Sequence, residues 1–301
     1  MLLGEHTEFD QFARTELLRG RLVSQPQFSH GSVLPHVYRA MPEQIPPHYV
    51  QTLYAQAMAL AMTAVTGRVQ MAQTPLVNWT LVSDESGVLL IDAGYPGHRD
   101  EVLASLDRLG FGPADVRAIL LTHAHIDHLG SAIWFAATHG TPVYCHPDEV
   151  GHARRDYLQQ VSPAALLAQA WRPAWLRWSL QAARLGGLVR DGIPGARALS
   201  EEVASALPGG PRAIPTPGHT GGHCSYVVDG VMITGDALIT GHPLARRHGP
   251  QLLPAMFNES QADCERSLAA LAAAGTDVFI PGHGALWTGP IGQAVRAAAA
   301  R

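Results

Sequence analysis

Four side chains that can bind a metal ion stand in one short run of the 301-residue chain: His123, His125, Asp127 and His128. In extended backbone, residues two apart project to the same side, so His123 and His125 can face one cavity. Asp127 and His128 follow in what we expect to be a turn, from which they can reach the same cavity. Histidine nitrogen and carboxylate oxygen are ligands for zinc, and also for iron or manganese. This run alone can therefore begin two adjacent metal sites.

Three further candidate ligands each follow an apolar stretch. His219 and His283 stand in Pro-Gly-His turns, and Asp236 follows the stretch that ends at Thr234. Asp236 could also be a helix N-cap, because Ala237-Leu-Ile comes directly after it, and both roles can hold at once. If the apolar stretches are strands of two packed sheets, their ends converge on one edge. The seven side chains would then form a single cluster.

Weaker candidates lie nearby in the sequence. Asp92 ends an apolar run in Leu-Ile-Asp-Ala-Gly, where it could accept a hydrogen bond from a metal-binding histidine or simply form a turn. His223 could contact substrate, orient a ligand, or be an ordinary loop residue. His242 and His248 follow Asp236 at short range and either line the mouth of a pocket or, as we expect, are solvent-exposed.

The elements that must position these residues are short strands separated by turns. An apolar pattern on either side of Asp84-Glu-Ser-Gly predicts a hairpin over 76–92, and Asp229-Gly230 predicts a second, tight one. The apolar run 116–122 fits a strand that is buried on both faces. We expect the next helix to begin at Gly130.

Two segments outside this pattern are expected to be helical. Residues 1–75 carry helical patterns over 7–19 and 48–66, which predicts an N-terminal helical extension ahead of a catalytic domain at 76–301. Residues 150–195 form a helical insert rich in tryptophan and arginine.

The tryptophans of this insert are spaced for one helix face. Trp171, Trp175 and Trp178 are four and three residues apart, although Pro173 between them indicates that the helix could start there. Such a face either packs on the body of the protein or acts as a lid over a substrate pocket. Phe257 and Asn258 could border the same pocket.

Composition excludes several classes of function. The formal charge of −4 argues against a protein that grips phosphate backbones, so a nucleic-acid partner is not expected. All 21 basic residues are arginine, which excludes lysine Schiff-base chemistry. Three scattered cysteines fit a reducing compartment, and neither a signal-peptide pattern nor a membrane-spanning pattern is present. We therefore expect a cytoplasmic enzyme with a small-molecule substrate, and the oligomeric state stays open.

The ordered set H-x-H-x-D-H, His, Asp, His over about residues 76–290 resembles the metallo-β-lactamase superfamily. The resemblance implies an α+β fold, an αββα sandwich of two mixed sheets flanked by helices, here with a helical insert. It implies two zinc ions, although iron or manganese are possible. By resemblance, His123, His125 and His219 hold one ion, Asp127, His128 and His283 hold the other, Asp236 bridges them, and Asp92 supports a ligand.

The chemistry implied is hydrolysis. A hydroxide that bridges the two ions attacks the substrate. Asp127 is then the candidate to pass a proton to the leaving group.

Departures from the known branches narrow the substrate. Only 18 residues follow His283, which disfavours the glutathione-binding type of thioesterase. Ile239 stands where quorum-quenching lactonases have a tyrosine, and zinc β-lactamases lack an aspartate in the role of Asp236. We expect a hydrolase of an ester, thioester, lactone or related acyl substrate. The alternatives are a phosphodiesterase or nuclease, for which the arginine-rich insert is the one favourable feature, a mononuclear iron persulfide dioxygenase-like enzyme, and a non-catalytic binding protein.

Overall fold

Two β-sheets lie face to face, and helices cover their outer sides. The structure, a computed structural model, describes residues 60–245 and 247–300. The first sheet has seven strands in chain order: β1 (Ala61–Ala64), β2 (Val69–Gln73), β3 (Asn78–Asp84), β4 (Gly87–Ile91), β5 (Val116–Leu120), β6 (Val143–Cys145) and β7 (Arg197–Ala198). Strands β1 to β4 pair antiparallel, whereas β4 to β7 pair parallel.

The second sheet contains five strands, arranged β12-β11-β10-β9-β8. These are β8 (Arg212–Pro215), β9 (Cys224–Val228), β10 (Val231–Gly235), β11 (Val278–Pro281) and β12 (Trp287–Thr288). The pair β10 and β11 is parallel, and the other pairs are antiparallel. Asp229 and Gly230 both have positive φ, as a two-residue turn between β9 and β10 requires. The tight hairpin predicted there is confirmed.

Helices connect and cover the sheets. They are α1 (Arg99–Asp107), α2 (Ile126–His139), α3 (Val150–Arg154), α4 (Pro163–Leu167), α5 (Pro173–Arg184), α6 (Glu201–Ala206), α7 (Gln261–Ala273) and α8 (Ile291–Ala299). Helices α3, α4 and α5 belong to the predicted insert. Among the described residues, no helix is both long and apolar enough to cross a bilayer.

Strand β4 explains why the layers pack. Its side chains alternate between the two faces of the sheet, so a strand with both faces covered is apolar throughout. Val88 and Leu90 join the cluster that includes Phe135 of α2, whereas Leu89 and Ile91 join the cluster between the sheets. The arrangement is the α+β sandwich of two mixed sheets flanked by helices that the sequence predicted.

The helix predicted over 48–66 is wrong in its described part, because residues 61–64 form strand β1. This strand pairs with β2 along the edge of the first sheet, and that pairing decides its conformation. The helix predicted over 7–19 lies outside the described residues, as does the earlier part of the second. Because β1 and β2 belong to the first sheet, we propose that the catalytic domain begins near residue 60 rather than at 76.

Candidate metal centre

The H-x-H-x-D-H run joins strand β5 to helix α2. His125 is the N-cap of α2 with an extended backbone, and the helix begins at Ile126. Asp127 and His128 therefore lie in the first helical turn, so the turn expected for them and the helix start expected at Gly130 are both wrong. The change of backbone from extended to helical is what points Asp127 and His128 at the same space as His123 and His125.

The other candidate ligands follow strands β8, β10 and β11 at the same edge of the sandwich. Two glycines in the Pro-Gly-His turns are required for different reasons. Gly218 has a φ of +136°, a conformation that side chains rarely adopt. Gly282 has ordinary φ, but an added Cβ would overlap the carboxylate of Asp236. Gly218 therefore permits the turn before His219 and its packing on Cys264, and Gly282 permits close approach of the backbone to the site.

All seven predicted side chains come together. They form three overlapping groups whose candidate ligand atoms lie within 4.8 Å of one another: His123 with His125 and His219, His123 with His128 and Asp236, and Asp127 with His128 and His283. Asp236 lies between the groups. Its Oδ2 is 3.4 Å from His219 Nε2 and 3.2 Å from His283 Nε2, and its Oδ1 is 3.6 Å from His128 Nε2.

Each of the five histidines in these groups uses one ring nitrogen for a hydrogen bond to the protein. The distances to the acceptors run from 2.5 to 3.0 Å. The pairs are His123 Nδ1 with Thr122 Oγ1, His125 Nε2 with the Gln159 carbonyl, His128 Nδ1 with Asp92 Oδ2, His219 Nδ1 with Asn258 Oδ1, and His283 Nδ1 with the Leu76 carbonyl. Donation from one nitrogen leaves the other as a free acceptor, which is the arrangement typical of metal-binding histidines.

The free atoms fit metal ions. The Nε2 atoms of His123 and His128 and the Oδ1 atom of Asp236 are buried and have no hydrogen-bond partner. His125 Nδ1 and His219 Nε2 face each other at 2.9 Å, although both are acceptors in the tautomers fixed by their other hydrogen bonds. Buried acceptors without donors are costly. Cations would satisfy all of them, and nitrogen and carboxylate ligands without thiolate suit zinc, iron or manganese.

Protonation differs between the two halves of the cluster. Burial, together with the neighbouring histidines, lowers the pKa of His123 and His125, which keeps both rings neutral as metal ligands must be. Burial alone would also lower the pKa of His128, but the charges of Asp236, Asp92 and Asp127 outweigh it and raise that pKa to about 10. Without a metal ion, His128 therefore takes up a proton.

Asp92 and His223, the two weaker candidates, both lie behind the cluster. Asp92 accepts hydrogen bonds from His128 Nδ1 and from the backbone N–H and hydroxyl of Thr122. His223 accepts from the backbone N–H of Asp236 at 3.1 Å and contacts Thr216 Oγ1 through Nδ1. Burial lowers the pKa of His223 to about 3, so the ring stays a neutral acceptor. Asp92 also has a φ of +62°, so it combines a turn conformation with these hydrogen bonds, whereas the plain loop alternative does not describe the contacts of His223.

Glu149 is an important residue that the sequence analysis missed. Its carboxylate has no exposed surface and accepts hydrogen bonds from the Ala124 and Gly222 N–H groups, the Thr220 hydroxyl and His152 Nδ1, at 2.8 to 3.0 Å. It thereby joins the loop that carries His123 and His125 to the loop that carries His219. Its position after β6, at the same edge as the other strand ends, is the one sequence feature that indicates a role in the site. The run Pro147-Asp148-Glu149, however, is typical of an exposed turn.

A pocket of about 300 Å³ opens from the cluster toward the insert. Asp127 is the ligand candidate most open to it, with 17% of its side chain exposed. His242, expected to be solvent-exposed, instead lines the pocket with its ring 5.0 Å from that of His283. Phe257 lines it as expected, and Asn258 supports His219 from behind.

The expectation that three tryptophans share a helix face is wrong for Trp171. Helix α5 begins at Pro173, so Trp171 precedes it and is 76% exposed. Trp175 and Trp178 are buried and pack against Phe257, with ring centroids 5.8 Å apart in both pairs. None of the six arginines at 154, 155, 172, 177, 184 and 190 lines the pocket. The feature that favoured a nuclease therefore does not reach the site.

The chain is similar to several known proteins, which share one family. The model of the metallo-β-lactamase superfamily matches residues 74–283, which is more than half of the chain. A probable metallo-hydrolase of Bacillus subtilis, YflN, is 31% identical over 227 residues, covering 69% of this chain and 80% of YflN. Metallo-β-lactamase domain-containing protein 1 of Xenopus laevis is 28% identical over 245 residues, covering 79% of this chain and 80% of its own. A solved metallo-β-lactamase of Cronobacter sakazakii with an HARLDQ motif has a TM-score of 0.53 at 23% identity, covering 77% of this chain and 82% of its own.

Proposed function

Since the chain belongs to the metallo-β-lactamase superfamily and is a metal-dependent hydrolase, we propose that it uses two zinc ions to hydrolyse an ester, thioester, lactone or related acyl bond. One observation carries the proposal. Five buried histidines each donate one nitrogen to the protein and turn the other toward the same space, together with Asp127 and Asp236. Such complete orientation is characteristic of a metal site.

The proposed ligands divide into two sets. His123, His125 and His219 would hold one ion, Asp127, His128 and His283 would hold the other, and Asp236 would contribute to both because its two oxygens face both sets. When bound, the two ions polarise the substrate carbonyl and lower the pKa of a water molecule. Because the orienting hydrogen bonds exist before substrate arrives, little reorganisation is needed during the reaction.

Two side chains contact the reacting part of the pocket directly. Asp127 lines the pocket, where its carboxylate can take a proton and hand it to the leaving group. Tyr95 lines the same pocket, and burial, with the charges of Asp127 and Asp236, raises its pKa well above the ordinary value. Its phenol therefore stays protonated and can donate a hydrogen bond to the substrate.

The alternatives find less support. A phosphodiesterase would need positive side chains to hold its substrate, and no arginine lines the pocket in the part of the chain that the structure describes. A mononuclear iron dioxygenase would use one of the two ligand sets and leave the other without a role.

The three cysteines are free and buried, which agrees with a reducing compartment such as the cytoplasm.

Metal counting and a substrate screen test the proposal together. The purified full chain, loaded with zinc, is assayed against acyl esters, thioesters, lactones and phosphodiesters. We expect two zinc ions per chain, acyl hydrolysis, and a loss of at least roughly a hundredfold in kcat for Asp127→Asn. The matched control Asp107→Asn changes an exposed residue of α1 and should keep full activity. One iron per chain, turnover of phosphodiesters alone, or an active Asp127→Asn variant would overturn the proposal.

A further inference from the structure

The pocket extends well beyond the residues proposed to bind metal. Its ionisable lining residues are all at the metal end: Tyr95, Asp127, Asp236 and the histidines at 125, 219, 242 and 283. The remainder runs between helices α4 and α5, and there Gln160 and Ser179 are the polar side chains in the described lining. A long apolar trough thus leads away from a polar reaction centre.

Helix α5 has two apolar faces with different surroundings. Trp175, Trp178 and Ala182 are buried, and of these Trp178 and Ala182 also line the pocket. Leu176, Leu180 and Ala183, spaced four and three residues apart and offset by roughly a third of a turn, are exposed and line the pocket from the solvent side. A helix that only packed on the body would carry polar residues at these three positions. The second apolar face therefore serves the pocket.

The outer part of the trough is open to solvent. Four of its leucines, at positions 167, 176, 180 and 188, are from 45% to 75% exposed while they line the pocket. Of the eight large hydrophobic side chains that are exposed among the described residues, seven lie in the insert between 157 and 188. The four exposed leucines around one opening indicate a binding surface rather than ordinary scatter.

Charge also limits what can lie in the trough. The arginines of α5 and its flanks do not line the pocket, and Arg172 stacks on Trp171 with 5.1 Å from its guanidinium carbon to the ring centroid. No cationic side chain of residues 60–245 and 247–300 lines the trough, so a phosphate or carboxylate on the bound chain would have no partner among them. The part of the substrate that occupies the trough is therefore uncharged as well as apolar.

We propose that the substrate of this site is an ester or thioester of a linear, medium-length fatty acid, whose hydrocarbon chain lies in the trough between α4 and α5. This inference rests on the acyl hydrolysis proposed above. Water adds across the acyl bond: the bond from the carbonyl carbon to the leaving oxygen or sulfur breaks, and a carbon–oxygen bond forms. One proton of water goes to the leaving group, the other is released with the carboxylate, and no atom is oxidised or reduced. A volume of about 300 Å³ is at the small end of ligand pockets, which suits a chain of medium length.

The length of the acyl chain provides the test. The zinc-loaded full chain is assayed with p-nitrophenyl esters from acetate to decanoate. Each ester is used below the concentration at which the longer esters aggregate. Burial of a methylene group strengthens binding roughly fourfold, and less where the trough is open. We expect kcat/KM to rise roughly two- to fourfold per methylene up to octanoate. A flat or falling series, or a phenylacetyl ester preferred over octanoate, would overturn the inference.

Matched variants locate the effect in the trough. Leu180→Gln and Leu188→Gln place an amide in the lining and should flatten the chain-length series. Leu158→Gln makes the same change at a leucine that is 40% exposed but does not line the pocket, and it should leave the series unchanged. All three positions are exposed, so these substitutions leave the core intact. An unchanged series in both lining variants would contradict the inference.

A binding measurement separates this inference from the proposed function. Tryptophan fluorescence, reported by Trp178 in the lining, follows the binding of 1-octanol and 1-butanol to the zinc-loaded protein. We expect 1-octanol to bind at least roughly tenfold more tightly than 1-butanol, and Leu180→Gln to reduce the difference. Octanol binding without any ester hydrolysis would sink the proposed function while the trough inference stands. Hydrolysis of p-nitrophenyl acetate without any preference for longer acyl chains or for 1-octanol would contradict the trough inference and leave the proposed function standing.

Discussion

Glu149→Ala removes a carboxylate that ties together two loops of the candidate metal centre. In the folded protein this carboxylate accepts from two backbone N–H groups, of Ala124 and Gly222, and from the side chains of Thr220 and His152. Burial alone would raise the pKa of Glu149, but the hydrogen bond and charge of His152, with the other donors, outweigh it and leave that pKa lowered. The carboxylate is therefore ionised while fully buried, and its removal leaves several donors without a partner.

The cost can be worked from these contacts. A buried donor left without its partner costs about 1–3 kcal/mol, and two backbone donors lose theirs. Water that enters the space vacated by the side chain can recover part of this. We therefore expect the free energy of unfolding to fall by about 2–5 kcal/mol, and Tm to fall by roughly 5–20 °C in a domain of this size.

The same change should weaken metal binding. The loops of His125 and His219 are held in register by Glu149, and loss of a supporting contact of this kind costs about 10–100-fold in metal affinity. Urea unfolding of the metal-free protein, followed by circular dichroism, measures the stability. Competition with a chromophoric chelator measures zinc affinity. Glu85→Ala, at an exposed turn residue, is the matched control and should leave both quantities unchanged.

Two results would refute this reasoning. If the free energy of unfolding of Glu149→Ala lies within about 0.5 kcal/mol of that of the unmodified protein, the buried hydrogen bonds contribute nothing measurable to stability. If stability falls but zinc affinity does not, the carboxylate supports the fold without positioning the loops. Glu149→Gln keeps the shape and one acceptor oxygen, so it should lie between the alanine variant and the unmodified protein in both measurements.

Two further predictions concern the ligands themselves. Gly282→Ala should lower zinc affinity at least roughly tenfold, because the new Cβ displaces Asp236. The control Gly195→Ala adds a Cβ that meets nothing within 4 Å, so it should leave zinc affinity unchanged. Equal zinc affinities in the two variants would contradict the packing argument. In metal-free protein the pKa of His128 is raised from 6.5 to about 10, so its contribution to stability is complete below pH 6.5 and is lost as pH rises through 10. Thermal unfolding after chelation should therefore show that Tm falls as the pH rises from 6.5 to about 10. In the zinc-loaded protein an ion takes the place of the proton, so Tm should fall less. Equal falls of Tm in the two forms would contradict the assignment of this pH dependence to His128.

Much of the fold follows from patterns that local physics makes readable. The Asp229-Gly230 turn needs positive φ at both positions, and few other residue pairs accept that. Strand β4 is apolar at every position because both of its faces are covered. In each case one physical requirement restricts the residue type, so the sequence predicts the element directly.

Other elements depend on contacts that are remote in sequence. Residues 61–64 form a strand only because β2 provides a partner along the sheet edge. The start of α2 at Ile126 instead of Gly130 depends on how β5 delivers the chain to the site. Glu149 resembles an exposed turn acid until its four donors, from loops at 124 and 220–222 and from His152, are brought around it.

The metal end and the apolar end of the pocket differ in how strongly chemistry restricts their residues. A metal ion accepts only a few ligand types, and their second nitrogens need acceptors, so the candidate ligands stand out in the sequence. A hydrocarbon chain accepts any apolar wall, so Leu176, Leu180 and Ala183 resemble core residues of an ordinary helix. What distinguishes them is that they are exposed, although α5 already buries a different apolar face with Trp175 and Trp178. A helix that is apolar on two faces but buried on only one needs a second apolar partner, and in an enzyme whose pocket runs along that face, the substrate fills this role.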